Sequence, residues 1–153
     1  MGSADFILMI NLSVAGLLAT AFMAIAIHDV GRVSARWLAF SYGLGMAYFA
    51  IEFSIPAFAD ARLPVVVAFA VFLGATIAFN GGLAYRYGVT PPWAPMLFFL
   101  AVASVAVYLV QDLPRHSLNR MMAYQLPYAA MQFAALGIVL SRPGRGSGGS
   151  ITR

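Results

Sequence analysis

Apolar residues run almost unbroken through five stretches of the chain, roughly 6 to 27, 36 to 58, 64 to 85, 93 to 112 and 121 to 140. Each is close to the ~20 residues that a helix needs to cross the hydrocarbon of a bilayer. Between them lie HDVGRVSA, ADARLP, RYGVTPP and LPRHSLNR, which combine charge with Gly, Pro or Ser, as turns between helices at a membrane surface do. Connections this short make consecutive helices antiparallel neighbours. The expected fold class is therefore all-α: an integral membrane bundle of about five transmembrane helices over residues 1–140. A flexible Gly-, Ser- and Arg-rich tail is expected at 141–153, since it has no apolar face to bury. The first run has the look of a secretion signal, but it is too long, carries Asp5 where a basic cluster belongs and precedes no convincing cleavage site, so it is expected to be a retained span.

The cationic residues orient the bundle. With the N-terminus outside, Arg32, Arg36, Arg86, Arg142, Arg145 and Arg153 fall on the cytoplasmic side, and Arg62, Arg115 and Arg120 on the other. Positive residues are retained inside, so this count predicts an external N-terminus and a cytoplasmic C-terminus.

Composition narrows the function classes. Of the 153 residues 62% are apolar and 9% charged, with a mean hydropathy of +0.86, so the lipid bilayer is the first partner. The expectation is one compact bundle without an attached catalytic domain. All nine basic side chains are Arg; there is neither Lys nor Cys. That excludes a retinal Schiff base, a disulfide, a thiolate metal site and covalently attached haem, and no covalent cofactor is expected. The Arg residues stand singly between apolar runs, which favours lipid headgroups over nucleic acid. No Ser–His–Asp arrangement, phosphate loop or zinc spacing occurs, so the chain is expected to be non-catalytic. His28 and His116 fall at opposite membrane faces, too far apart to share a ligand. Trp37, Trp93, Tyr85 and Tyr87 form an interfacial aromatic belt.

Polar residues inside the spans are the candidate site, because ionisable groups in hydrocarbon usually face a bundle interior or a cavity. Glu52, in YFAIEFSIP, lies about 9 Å below the outer end of its helix at 1.5 Å per residue. Asn11, Ser13, Tyr108, Tyr124, Gln125 and Tyr128 are at similar depth and form with it a candidate outer-leaflet polar layer. Ser41, Gly45, Tyr48 and Glu52 share one face of the second span, and Gln125, Tyr128 and Gln132 one face of the fifth, where Pro127 removes a backbone donor. Glu52 has three readings: a protonated, hydrogen-bonded carboxyl; an ion pair with Arg115 or Arg120; or a contact for a cationic or hydrogen-bonding ligand. Asn11, Ser13, Asn80 and Gln132 also fit plain interhelical hydrogen bonding, and Ala15, Gly43, Gly45, Gly74, Ala78 and Gly82 close helix packing.

NLSVAGLLATAF (11 to 22), SYGLGM (41 to 46) and YQLPYA (124 to 129) occur in this order on spans one, two and five. Across roughly residues 5 to 142 the chain thereby resembles the N-terminal multi-span membrane region of bacterial GGDEF-type diguanylate cyclases. The resemblance implies a sensory input module with a cytoplasmic C-terminus. Nothing in the chain matches the GGDEF signature, so no cyclase role passes to any residue. The expected function is that of a non-catalytic protein of sensor type in a bacterial inner membrane, which binds a small ligand around Glu52 and has a second copy of itself or other membrane subunits as partners. The alternative is a structural subunit of a larger respiratory or photosynthetic membrane complex, in contact with other subunits, lipids or pigments. A transporter is a third reading, without a visible repeat or substrate pathway.

Overall fold

The computed structural model describes residues 3–29, 31–114 and 116–141, with side chains from residue 6 onward. The tail expected beyond Ser141, and Arg115 in the last turn, lie outside them. Five helices follow one another: α1 (Ser3–His28), α2 (Val33–Ser54), α3 (Arg62–Tyr87), α4 (Trp93–Leu109) and α5 (Leu118–Leu140), with a 3-10 turn at Ile55–Ala57. Four contain stretches long and apolar enough to cross a membrane: Phe6–His28, Val33–Ala57, Arg62–Tyr87 and Leu118–Leu140. The fold is all-α, as the hydropathy pattern requires. α4 is the short member, with 17 residues.

Local chemistry sets the helix ends. Gly88, at φ 72°, closes α3, and Val89 N–H returns to the Ala84 carbonyl at 2.9 Å, a left-handed cap that side chains with a Cβ rarely adopt. Pro91 and Pro92 lead into α4, and Ser117 caps α5 by accepting from Arg120 N–H at 3.4 Å. The fourth apolar run extends to residue 112, but α4 stops at Leu109. The following residues turn instead, and the Arg120 guanidinium donates to the carbonyls of Gln111 (3.0 Å) and Leu113 (2.8 Å), satisfying acceptors that a helix would have used.

Contacts between helices give their directions. Leu38 lies beside Gly82, Leu44 beside Gly74 and Tyr48 beside Phe72, so α2 and α3 are antiparallel. Phe22 stacks on Tyr42 and Gly16 faces Met46, which makes α1 and α2 antiparallel too. Phe69 meets Tyr124, and Asn80 meets Met131, so α3 and α5 run the same way. The end at which α1, α3 and α5 begin is called the first end below, and the opposite one the second end.

α3 is the central helix, packed by α2, α4 and α5; α1 packs mainly on α2. The core gathers Phe69, Leu73 and Ile77 of α3 with Met96, Ala103 and Val107 of α4 and Met131 of α5. α1 turns Leu12, Ala15, Ala19, Phe22 and Ala26 toward α2, a 3-4-3-4 spacing of mostly small residues that lets two backbones approach. At the second end, Trp37 stacks on Trp93 with ring centres 4.4 Å apart, and Tyr85 stacks on Trp37 at 6.5 Å. Trp93 also lies against the backbone of Gly81, where a Cβ would come within 2.2 Å of the indole; at Gly82 a Cβ would meet Leu38 at 2.9 Å. Gly82 is thus a close-packing position, as its place in α3 suggests, whereas at Gly43 and Gly45 a Cβ would meet nothing within 4 Å.

Candidate functional site

Two polar arrangements occupy the interior, joined by Phe72. The first surrounds Tyr128. Its ring lies 5.1 Å from Phe72 and 5.4 Å from Phe69, and Phe72 in turn lies 4.7 Å from Tyr48, one helical turn before Glu52. Tyr48 and Tyr128 thus pack on the same Phe72 ring. Through Phe69 and Phe72 the structure brings Tyr48, Tyr124 and Tyr128 into one neighbourhood made by α2, α3 and α5 near the first end, with Glu52 one turn further along α2. Tyr124 packs edge-on against Phe69 at 5.7 Å, and its hydroxyl accepts from Gln111 Nε2 at 2.6 Å. A continuous series of side chains thus runs from α2 to the α4–α5 turn.

Glu52 is half-buried and makes neither an ion pair nor a hydrogen bond with any described residue. Arg120 is not its partner. That guanidinium is spent on the Gln111 and Leu113 carbonyls and on Gln111 Oε1 at 3.3 Å. Arg115, the other expected partner, lies outside the described residues. The ion pairs found are at the surface: Arg32 with Asp29 at 2.6 Å, and Arg62 with Asp112, which ties the start of α3 to the turn after α4.

The second arrangement is a groove of about 420 Å³ bounded by α1, α2, α3 and α5, near the middle of the helices. Its walls are mainly apolar, with Leu18, Phe49, Phe72 and Phe79 among them. Asn11, Ser41, Tyr42, Thr76, Asn80 and Gln132 bring polar atoms to it. Ser41 is buried, and its hydroxyl crosses from α2 to donate to the Ala75 carbonyl of α3 at 2.7 Å. Thr76 donates to its own helix, at the Leu73 carbonyl (2.8 Å). Asn80 is 1% exposed; its amide nitrogen donates to the Met131 carbonyl of α5 at 2.9 Å and lies 3.8 Å from the Met131 sulfur. No described buried side-chain polar atom lacks a hydrogen-bond partner.

The remaining residues of the expected polar layer are distributed differently. Asn11 reaches the groove rather than the tyrosine cluster, from an exposed position on α1. Tyr108 is exposed on α4 and Gln125 exposed on α5, both turned away from the interior. Ser13 donates to the Met9 carbonyl of its own helix at 2.9 Å. Depth brings all of these to a similar level, but the direction in which each side chain leaves its helix separates them. Sequence reasoning missed Phe72 as the link, Thr76 and Tyr42 in the groove wall, and Gln111 beneath Tyr124. For Gln111 the signal was present: a carboxamide at the edge of an apolar run, three positions before Pro114, marks the place where the backbone leaves its helix.

His28 and His116 stand at the second and first ends respectively. Comparison of the chain with models of protein families, with curated proteins and with solved structures finds no match.

Proposed function

We propose that this chain is a non-catalytic, multi-pass membrane protein of sensor or input-module type, seated in a bacterial inner membrane with its first end outward. In this reading a neutral, lipid-soluble ligand enters the groove sideways from the hydrocarbon. The observation that carries the proposal is the chemistry of that groove. Three carboxamides from three helices, Asn11, Asn80 and Gln132, meet one apolar space large enough for a small molecule. A carboxamide both donates and accepts hydrogen bonds, and no Arg, Asp or Glu lines the groove, so a neutral ligand with its own hydrogen-bonding group is matched and an ion is not. The Arg distribution supports the orientation, and the resemblance of three segments to cyclase input regions supports the signalling role.

Phe72 connects the groove to Tyr48, Tyr128 and the neighbourhood of Glu52. An occupant that moved Phe72 would bias the packing of α2 against α5, and a two-state bundle responds only to such differential contact. The test is gentle extraction from native membranes followed by mass spectrometry of co-purified lipid-soluble molecules. Wild type should retain a ligand, and Asn80→Leu should lose it with helix content preserved. Retention by Asn80→Leu would remove the groove from the proposal. Glu52→Gln should weaken retention or response; unchanged folding, partner binding and ligand response would take Glu52 out of the site.

A second reading, a subunit of a larger complex, is favoured by α1. That helix leaves large apolar side chains such as Phe6, Leu17 and Ile27 exposed, each above half of its full area. Stoichiometric co-purification with foreign membrane subunits would favour it over the sensor reading.

A further inference from the structure

Along α5, Leu118, Met122, Gln125, Ala129, Gln132, Leu136 and Val139 recur at alternating spacings of four and three, and all are exposed. This is the 3.5-residue period of a helix seam that meets another helix at a shallow left-handed crossing. The inward positions of α5, among them Pro127, Met131 and Ile138, are already occupied by α3 and α4, so the seam is a separate face. Two of its members are carboxamides one heptad apart. Gln125 lies about 10 Å and Gln132 about 21 Å from the start of a helix about 34 Å long, so both are at hydrocarbon depth. Neither makes a hydrogen bond with any described residue. Hydrocarbon offers Gln125 no partner, Gln132 lies where the seam meets the edge of the groove, and carboxamides at such depth act as contacts between helices.

We infer that this seam joins two copies of the chain in parallel, through a twofold axis along the membrane normal. Identical chains insert in the same direction, so a symmetric pair presents Gln125 to Gln125 and Gln132 to Gln132 at matching depth. A carboxamide is its own complement: the amino group of one donates to the oxygen of the other, in both directions. Ala129, midway between them, permits close approach. A foreign helix would need polar groups of its own at two depths, whereas a second copy has them by symmetry. Gln132 also borders the groove, whereas Gln125 does not line it, so Gln125 is the position at which pairing is read separately from whatever occupies that cavity.

The chain lacks Cys, so single-cysteine variants report cleanly. Ala129→Cys keeps both glutamines; oxidised in native membranes, it should form disulfide-linked dimers in at least half of the protein. Leu17→Cys on α1 and Val105→Cys on α4, also exposed, should form fewer than one-tenth. Adding Gln125→Leu, outside the groove, to Ala129→Cys should lower cross-linking at least fivefold. Equal cross-linking at all three positions, products of a foreign mass, or cross-linking unaffected by Gln125→Leu would each overturn the inference.

Discussion

Gly81 accommodates the indole of Trp93 at a distance that no side chain would permit, and Trp93 is itself held by its stack on Trp37. A flat ring clamped on its other side cannot swing away cheaply. Gly81→Ala should therefore destabilise the bundle by about 1–3 kcal/mol, the usual range for overpacking, read as a lower midpoint in detergent unfolding. Trp93→Leu in the same chain should recover part of the loss, a coupling that a double-mutant cycle would expose. Ser41 and Thr76 make a matched comparison. Ser41 bonds across two helices, so Ser41→Ala should cost about 0.6–2 kcal/mol; Thr76 bonds within its own helix, and Thr76→Val should shift the midpoint far less. Equal effects would show that the Ser41 bond does not hold α2 to α3. None of these pairings is written in the sequence: a small residue in an apolar run signals close approach, but which ring or backbone approaches depends on how the other helices are rotated. Gly82 was legible as a packing position for this reason, while Gly81 was not distinguishable from it.

At the scale of elements, the hydropathy runs locate all five helices because backbone amides in hydrocarbon have to be satisfied within their own segment. The boundaries are less visible, since they are set by caps. α4 ends where Arg120, nine residues downstream of Gln111, supplies donors to the carbonyls of Gln111 and Leu113. Arg120→Ala should loosen the α4–α5 turn at a cost of about 1–3 kcal/mol, the range for stranding acceptors of a charged donor. Arg120→Lys should restore only part, because one ammonium does not reproduce the planar fork that reaches both carbonyls and Gln111 Oε1. Faster hydrogen exchange confined to residues 110–120 would be the accompanying sign. The same geometry explains why the candidate polar layer was only half legible. Axial depth follows directly from counting residues, so the sequence places Glu52, Tyr124 and Tyr128 at one level. Azimuth does not: Tyr108 and Gln125 share that level and look outward.

The whole molecule is a central helix with unequal support. α3 is clasped by α2, α4 and α5, whereas α1 packs mainly against α2, so one wall of the groove is held from a single side. Movement of α1 relative to α3 would widen or close that space without dismantling the core around Leu73 and Val107. Stability and groove shape are thereby partly separable, and a cross-link between α1 and α5 at the groove mouth should block exchange of an occupant while leaving the unfolding midpoint unchanged or higher.

The 17 residues of α4 have a further effect, on the lipid around the protein. At 1.5 Å per residue the helix is about 26 Å long, against roughly 30 Å of hydrocarbon in a typical bilayer, while the other helices exceed that span. The annulus of lipid must thin beside α4 and can remain unstrained or thicken elsewhere, so the protein carries a lateral gradient of bilayer thickness with it. Reconstitution into lipids of increasing acyl length should lower stability first in α4 and its turn, and short-chain lipids should be enriched next to that helix. A midpoint indifferent to chain length would show that the turn after Leu109 bridges the deficit.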